Sequence, residues 1–411
     1  MRKILINTLS QFVGRVIGAL CAFLSTILLA KNLSVYSFGE YVKIATYVAL
    51  FYPFVDFGLN TMYLKLQKQG RVETTIGSFL LLRLLLSLVL GVTAVVGAYF
   101  LSMARIVFVP SQLLILALGM LTLVGYSLSL TYNALFQARL RYDVVAIGLS
   151  LGSLVTLMLL FGAQQISLLV GEWGVTVGVG ALVMGVIATG LWYFFCYPIS
   201  PSLLFIDKKL WKELLVASFP LGVTLLFNIV YFKVDTLILS VFRPVAEVGV
   251  YGFAYKFFEF ALVVPTFVMN SVYPILLKKP DVSQTALYLK KILQPLFIFS
   301  LMATIVLWVG APFLVWVKQD FVASVVLLRI LAVGLPLFFL TSPLMWWYVL
   351  IGKQKLLAVI YGLTMIFNIC ANLIFIPSQG AIGAAFITGA TELVMLILGG
   401  SYLFYYYAKS T

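Results

Sequence analysis

The chain has no histidine and only three cysteines in 411 positions. Without histidine, imidazole catalysis and His-ligated metal centres are excluded. Cys21, Cys196 and Cys370 are odd in number and lie far apart in apolar stretches. They read as small buried hydrophobes rather than a disulfide framework or a thiolate site. Charged residues make up only 10% of the chain, and no stretch is polar enough and long enough to form a separate soluble domain. No G-x-x-x-x-G-K loop occurs, so a nucleotide-driven pump is excluded, and no cofactor is expected.

What the chain does have is apolar length. Hydrophobic residues account for 63%, and the mean hydropathy is +1.12. A water-soluble core cannot hide that much apolar surface, so the composition defines an all-α polytopic membrane protein. A span needs roughly 20 mostly apolar residues, and twelve fit. The first six lie at about 9–31, 41–63, 76–100, 107–133, 143–162 and 167–194. The second six lie at about 214–241, 249–277, 286–315, 323–350, 355–377 and 380–408. The basic start, MRKILINTLSQFVGRVIGAL, carries no small-residue cleavage site and reads as an uncleaved first helix.

Loop charge sets the orientation. One side collects Arg2, Lys3, Lys65, Lys68, Arg71, Arg139, Arg141, Lys208, Lys209, Lys212, Lys278, Lys279, Lys290, Lys291, Lys353, Lys355 and Lys409. The other side holds Lys31, Arg105, Arg243 and Lys318. By the positive-inside rule both termini are cytoplasmic. The same loops absorb most of the +14 net charge as topology signals and lipid-headgroup contacts, so no nucleic-acid partner is expected.

The longest polar interruption, 197–213, contains Pro198, Pro201 and three lysines and reads as a cytoplasmic linker. It separates a six-helix lobe at 1–196 from another at 214–411. The lobes echo each other. Phe38-Gly39-Glu40-Tyr41 matches Val248-Gly249-Val250-Tyr251 at an offset of 210, and Ala138-Arg139 matches Gly352-Lys353 at 214. Gly171-Glu172-Trp173-Gly174 matches Gly380-Ala381-Ile382-Gly383 at 209. Pro265 answers to Pro53 at 212, which predicts a duplicated bend. Six spans per lobe make this a parallel repeat, an architecture that places substrate in a central cavity between the halves.

Ionisable residues inside spans are costly and mark functional paths. Asn7, Gln11 and Arg15 form one helical stripe in the first span; Asp56 lies in the second and Arg83 in the third. The two arginines sit near enough to an interface to snorkel, whereas Asp56 is as well explained by pairing with one of them. In the second lobe Lys233 and Asp235 are two apart and cannot pair with each other. Lys256 and Glu259 are three apart and can. Arg329 completes a cationic set of Arg15, Arg83, Lys233, Lys256 and Arg329, expected to face substrate. Asp56, Asp235, Glu259 and Glu392 are the candidates for ion coupling or charge balance. Asn368, Asn372 and Thr388 fit interhelical hydrogen bonding at least as well as ligand contact. The aromatics read as mostly lipid-facing, with Tyr405–Tyr407 as an interfacial belt.

Several motifs carry a family resemblance. They are Leu33-Ser34, Phe38-Gly39-Glu40-Tyr41, Asp56-Phe57-Gly58-Leu59, Leu135-Phe136-Gln137-Ala138 and Ser218-Phe219-Pro220. Val234-Asp235, Val248-Gly249-Val250-Tyr251, Ala254-Tyr255-Lys256, Asn368, Asn372, Ile376-Pro377 and Gly380–Ala385 follow in order. With these the chain resembles Wzx-type polysaccharide flippases of the multidrug/oligosaccharidyl-lipid/polysaccharide exporter superfamily. The resemblance implies a two-lobe, twelve-helix fold in a bacterial cytoplasmic membrane. It implies movement of undecaprenyl-pyrophosphate-linked oligosaccharide, as in O-antigen assembly, driven by exchange of H+ or Na+. A polysaccharide polymerase is an implied associate. A drug–cation antiporter of the same superfamily would call for a mainly acidic lumen. A membrane polymerase or ligase would call for a large external loop, and no outer loop here exceeds about a dozen residues.

Overall fold

The computed structural model describes residues 2–67, 72–104, 106–139, 141–200, 204–276 and 282–408. Side chains at 2–12, 65–67, 72–74, 270–271, 273–276, 282–290 and 404–408 stand outside that description. Asn7, Gln11 and the Tyr405–Tyr407 belt therefore lie outside the described side chains.

Helices follow one another along the described chain. They are α1 (Arg2–Asn32), α2 (Val35–Ala49), α3 (Tyr52–Asp56), α4 (Leu59–Gln67), α5 (Val72–Met103), α6 (Leu113–Ala138) and α7 (Tyr142–Gln165). After these come α8 (Gly171–Cys196), α9 (Lys208–Phe242), α10 (Val245–Leu276), α11 (Val282–Gly310), α12 (Phe313–Val317), α13 (Val322–Leu350) and α14 (Gln354–Ala408). Among the described residues eleven segments are long and apolar enough to cross a membrane. The last of these, Gln354–Leu403, is 50 residues long. An unbroken helix of that length would reach about 75 Å, more than twice a hydrocarbon core of roughly 30 Å. It is two helices joined at Gly380, whose φ of 58° and ψ of −138° are not helical. Counted so, the described residues hold twelve candidate spans.

The second span is the irregular one. It runs as α2, α3 and α4, broken around Leu50–Phe51 and again at Phe57–Gly58. Pro53 has no N–H to continue the ladder and starts the short α3. Phe57 then takes φ 43°, an uncommon conformation for a bulky residue, followed by Gly58 at φ 70°. Pro265, by contrast, lies within continuous helix in α10. The interruption at Pro53 is thus not repeated at Pro265, since a proline whose i−4 carbonyl is left to side chains or water need not end a span.

Two compact units emerge, Met1–Ile229 and Val230–Thr411, and the division falls inside α9 rather than in the 197–213 segment. Side chains explain why. In the first part of α9 Trp211 Nε1 donates to both the carbonyl and the hydroxyl of Ser78 at 3.0 Å. A Cβ on Gly222 would meet the Phe57 ring, and one on Gly58 would come within 2.7 Å of Leu221. This stretch of α9 therefore packs as part of the first unit.

Within the first unit α7 packs against α1 and α8, and α6 against α5 and α8. Thr156 Oγ1 donates toward the Gly152 and Ala181 carbonyls, and Thr189 Oγ1 toward those of Gly148 and Gly185. Small residues let the α7 and α8 backbones approach closely. The aromatics are drawn inward more than expected. Tyr63 stacks on Phe79 at 4.1 Å, and Tyr132, Tyr193, Tyr251, Trp347 and Tyr348 are fully buried. Buried tyrosine hydroxyls find carbonyls, as Tyr193 does at Val145 and Tyr348 at Gly399. Of the cysteines only Cys21 is buried, while Cys196 and Cys370 lie on outward helix faces. Within the second unit α13 packs against α10, α11 and α14.

Candidate functional site

The break in the second span leaves Asp56 at the end of α3, and α5 brings Arg83 to it. Arg83 Nη2 stands 3.5 Å from Asp56 Oδ1, and its guanidinium carbon lies 4.6 Å from the centre of the Phe79 ring. Arg83 is fully buried, yet among the described residues none of its three side-chain nitrogens makes a hydrogen bond. A guanidinium carries five donors, so this one is held by charge and ring contact while keeping its donors free. Asp56 is 29% exposed, which leaves one end of the pair reachable. Beside it Tyr52 donates to Thr122 Oγ1 at 3.0 Å and packs on Tyr126 at 4.7 Å. Arg15 is exposed on α1 and is not brought into this group.

In the second unit α9 and α10 assemble a charge cluster. Glu259 receives Lys233 on Oε1 and Lys256 on Oε2, the latter at 2.8 Å. The spacing of three residues predicted the Lys256–Glu259 contact, while Lys233 arrives from the neighbouring helix. Exposure rises from 18% at Lys233 to 43% at Lys256, so a net positive trio has its outer lysine open. Tyr255 packs close by, its ring centre 5.4 Å from Lys233 Nζ.

Asp235 faces elsewhere, as its two-residue offset from Lys233 requires. Its Oδ2 accepts from Tyr251 OH at 2.5 Å, with Thr388 Oγ1 at 3.4 Å. Its Oδ1 accepts from the Thr236 N–H at 2.6 Å and the Thr236 hydroxyl at 3.2 Å. On α14 Asn372 Nδ2 donates to Asn368 Oδ1, and Asn368 Nδ2 to Thr391 Oγ1, both at 3.0 Å. Asn372 Oδ1 is buried and has no hydrogen-bond partner among the described residues. Glu392, one residue beyond Thr391, is buried against Thr341 of α13. Arg329 stands apart from all of these, with its Nε on the Trp308 carbonyl at 3.2 Å and its guanidinium over the Trp308 ring. Trp308 is exposed on α11.

A further charged group escaped the reading of the sequence. Lys43 of α2 is buried, and its Nζ donates to the Val107 carbonyl at 3.0 Å and to Gln112 Oε1 at 2.9 Å. Gln112 Nε2 in turn donates to Glu40, also buried. The available signal was the i, i+3 spacing of Glu40 and Lys43 at the start of an apolar run. A second such group is Arg243–Glu247, where Glu247 Oε1 accepts from the Ala381 N–H at 2.7 Å and so caps the helix that follows Gly380.

The long apolar helices, one of them in the broken second span, define a multi-pass membrane protein. Its fold is similar to those of solved MOP superfamily structures. An inward-facing multidrug resistance MATE family transporter aligns over 98% of this chain and 100% of its own, with a TM-score of 0.74 at 14% identity. Lipid II flippase MurJ in an inward closed conformation aligns over 97% of this chain and 87% of its own, with a TM-score of 0.77 at 14% identity. A MOP superfamily transporter from Pyrococcus furiosus, described as having a binding pocket of reversed polarity, gives a TM-score of 0.57 at 14% identity. It covers 97% of this chain and 94% of its own. No curated protein matches the sequence. Residues 4–279, two-thirds of the chain, match the family described as polysaccharide biosynthesis protein, and the chain belongs to that family.

Proposed function

We propose that the protein flips undecaprenyl-pyrophosphate-linked oligosaccharide across a bacterial cytoplasmic membrane by alternating access. In this reading the chain alternates between inward and outward access, with both termini cytoplasmic. Partners are the lipid-linked glycan, membrane lipids, a coupling ion (H+ or Na+) and an associated polysaccharide polymerase.

The observation that carries the reading is the Lys233–Glu259–Lys256 trio, net positive within spans and open at Lys256. Membership of a polysaccharide biosynthesis family supports it, as does the likeness in fold to a lipid II flippase. A group with free donors at Arg83 adds a second cation suited to phosphate or an acidic sugar. Arg15 serves as an entry charge, and Arg329 has the weaker claim because it lies on Trp308. Asp56, Asp235, Glu259 and Glu392 balance charge or couple to the ion. The drug–cation antiporter is disfavoured by the sign of the α9–α10 cluster, since a cationic drug would meet two lysines for one carboxylate.

The test is surface-glycan display in cells that depend on this protein. Lys256→Ala and Arg83→Ala should each lower display at least tenfold at equal protein level, and Lys256→Glu should be worse than Lys256→Ala. Unchanged display in both alanine variants overturns the proposal.

A further inference from the structure

Two buried carboxylates in the second unit, Asp235 on α9 and Glu392 on α14, differ in the hydrogen bonds offered to them. Thr388, which approaches Asp235, and Glu392 are four residues apart on α14 and project from the same side. Asp235 is met by donors: the Tyr251 O–H, the Thr236 N–H and the Thr236 O–H. Three donors on two oxygens are what an ionised carboxylate needs when buried.

Glu392 is offered far less. Among the described residues its hydrogen-bond partner is the Thr341 hydroxyl. That hydroxyl has a second acceptor in reach, the Phe338 carbonyl at 3.2 Å. A hydroxyl has one proton to give and two lone pairs with which to accept. If Glu392 were ionised, Thr341 would have to turn from Phe338 and leave a buried charge with a single neutral donor, which is costly at this depth. If Glu392 is protonated, its O–H donates to Thr341 Oγ1, and Thr341 donates onward to the Phe338 carbonyl. Each proton then has an acceptor.

The other ionisable groups around this part of the unit are engaged elsewhere. Glu259 on α10 holds Lys233 and Lys256, and Tyr251 holds Asp235. On α13 Arg329 lies against Trp308 and Tyr348 donates to the Gly399 carbonyl. On α14 itself Tyr361 donates to Met345.

We propose that Glu392, its O–H accepted by Thr341 Oγ1 and the Thr341 O–H by the Phe338 carbonyl, is a proton-binding site that is occupied in this conformation, and that Asp235 is ionised. Its meaning for coupling rests on the transporter reading, but the protonation itself does not. The ligand is the proton: release breaks the Glu392 O–H bond, leaves the electron pair on the carboxylate and passes the proton to water.

Infrared spectroscopy of the full-length protein in lipid nanodiscs at neutral pH tests this without any substrate. A carboxylic-acid C=O stretch should be present, should vanish in Glu392→Gln and should persist in Asp235→Asn. Thr341→Val, which removes the acceptor but keeps the acid, should shift that band. The site is overturned if Glu392→Gln keeps the band, if Asp235→Asn is the variant that loses it, or if Thr341→Val leaves its frequency unmoved. Loss of the band would leave the glycan-display test standing, and unchanged glycan display would leave the band standing, so the two failures are told apart.

Discussion

Lys43 shows how a charge buried in a span acts on stability rather than on substrate. Its ammonium ties the Val107 carbonyl to Gln112, and Gln112 carries the contact on to Glu40. Lys43→Met removes two charge-assisted hydrogen bonds at once, and such bonds contribute about 1.5–3 kcal/mol each. The purified variant should unfold at a clearly lower temperature than the parent. Lys43→Met combined with Glu40→Gln should lose less than the two single variants together, because the double change leaves no lone buried charge. Additive losses would mean that the two residues are not coupled through Gln112. Single residues were unevenly legible in the sequence. The Lys256–Glu259 pair follows from spacing on one helix. The third member, Lys233, depends on which face α9 turns to α10, and the partners of Asp235 come from α10 and α14, so no local pattern displays them.

Elements depend on glycine in two physically separate ways, and substitutions can tell them apart. A Cβ on Gly185 would fall on the Gly152 carbonyl oxygen at 2.6 Å and on Thr156, whereas one on Gly162 meets nothing within 4 Å. Gly185→Leu should therefore force α7 and α8 apart and destabilise by about 1–3 kcal/mol, while Gly162→Leu on the same helix pair should be close to neutral. Thermal unfolding in detergent reads the difference. At the starts of the sixth and twelfth spans the requirement is in the backbone: Gly171 has φ 57° and Gly380 φ 58°. Gly171 has open space around it, but a Cβ on Gly380 would meet Glu247 and Arg243. Gly171→Ala should cost the left-handed strain alone, about 1–2 kcal/mol, and Gly380→Ala should cost more by the displaced Glu247 cap. Equal losses would remove Glu247 from the account. The sequence match between these two glycines was readable because only glycine suits that conformation. The broken second span was less so: Pro53 marked a bend, but Phe57 at positive φ is permitted by Gly222 and Phe219 on α9, more than 160 positions away.

At the scale of the whole chain, charge bias is the strongest statement the sequence makes about placement. The basic loops after α6 and α8 and the basic C-terminus predict cytoplasmic exposure, and the loop after Gln165 predicts the opposite side. A green fluorescent protein fused at the C-terminus should fluoresce, alkaline phosphatase inserted after Gln165 should be active, and the same enzyme inserted after Ser200 should be silent. The reverse pattern would invert the direction of the proposed transport. Composition was enough to identify a helical membrane protein, and the apolar runs anticipated its eleven candidate spans, the last of which divides at Gly380. Where one compact unit gives way to the other was not visible in that way, because composition changes at 197–213 while packing changes inside α9. That has a practical corollary for anyone wishing to produce the first unit as an independent polypeptide. Scissors placed in the polar segment would strip away Trp211, Leu221 and Gly222 and leave Ser78, Phe57 and Gly58 bare. A fragment that keeps its own walls has to carry the helix onward to Ile229 and end partway along it.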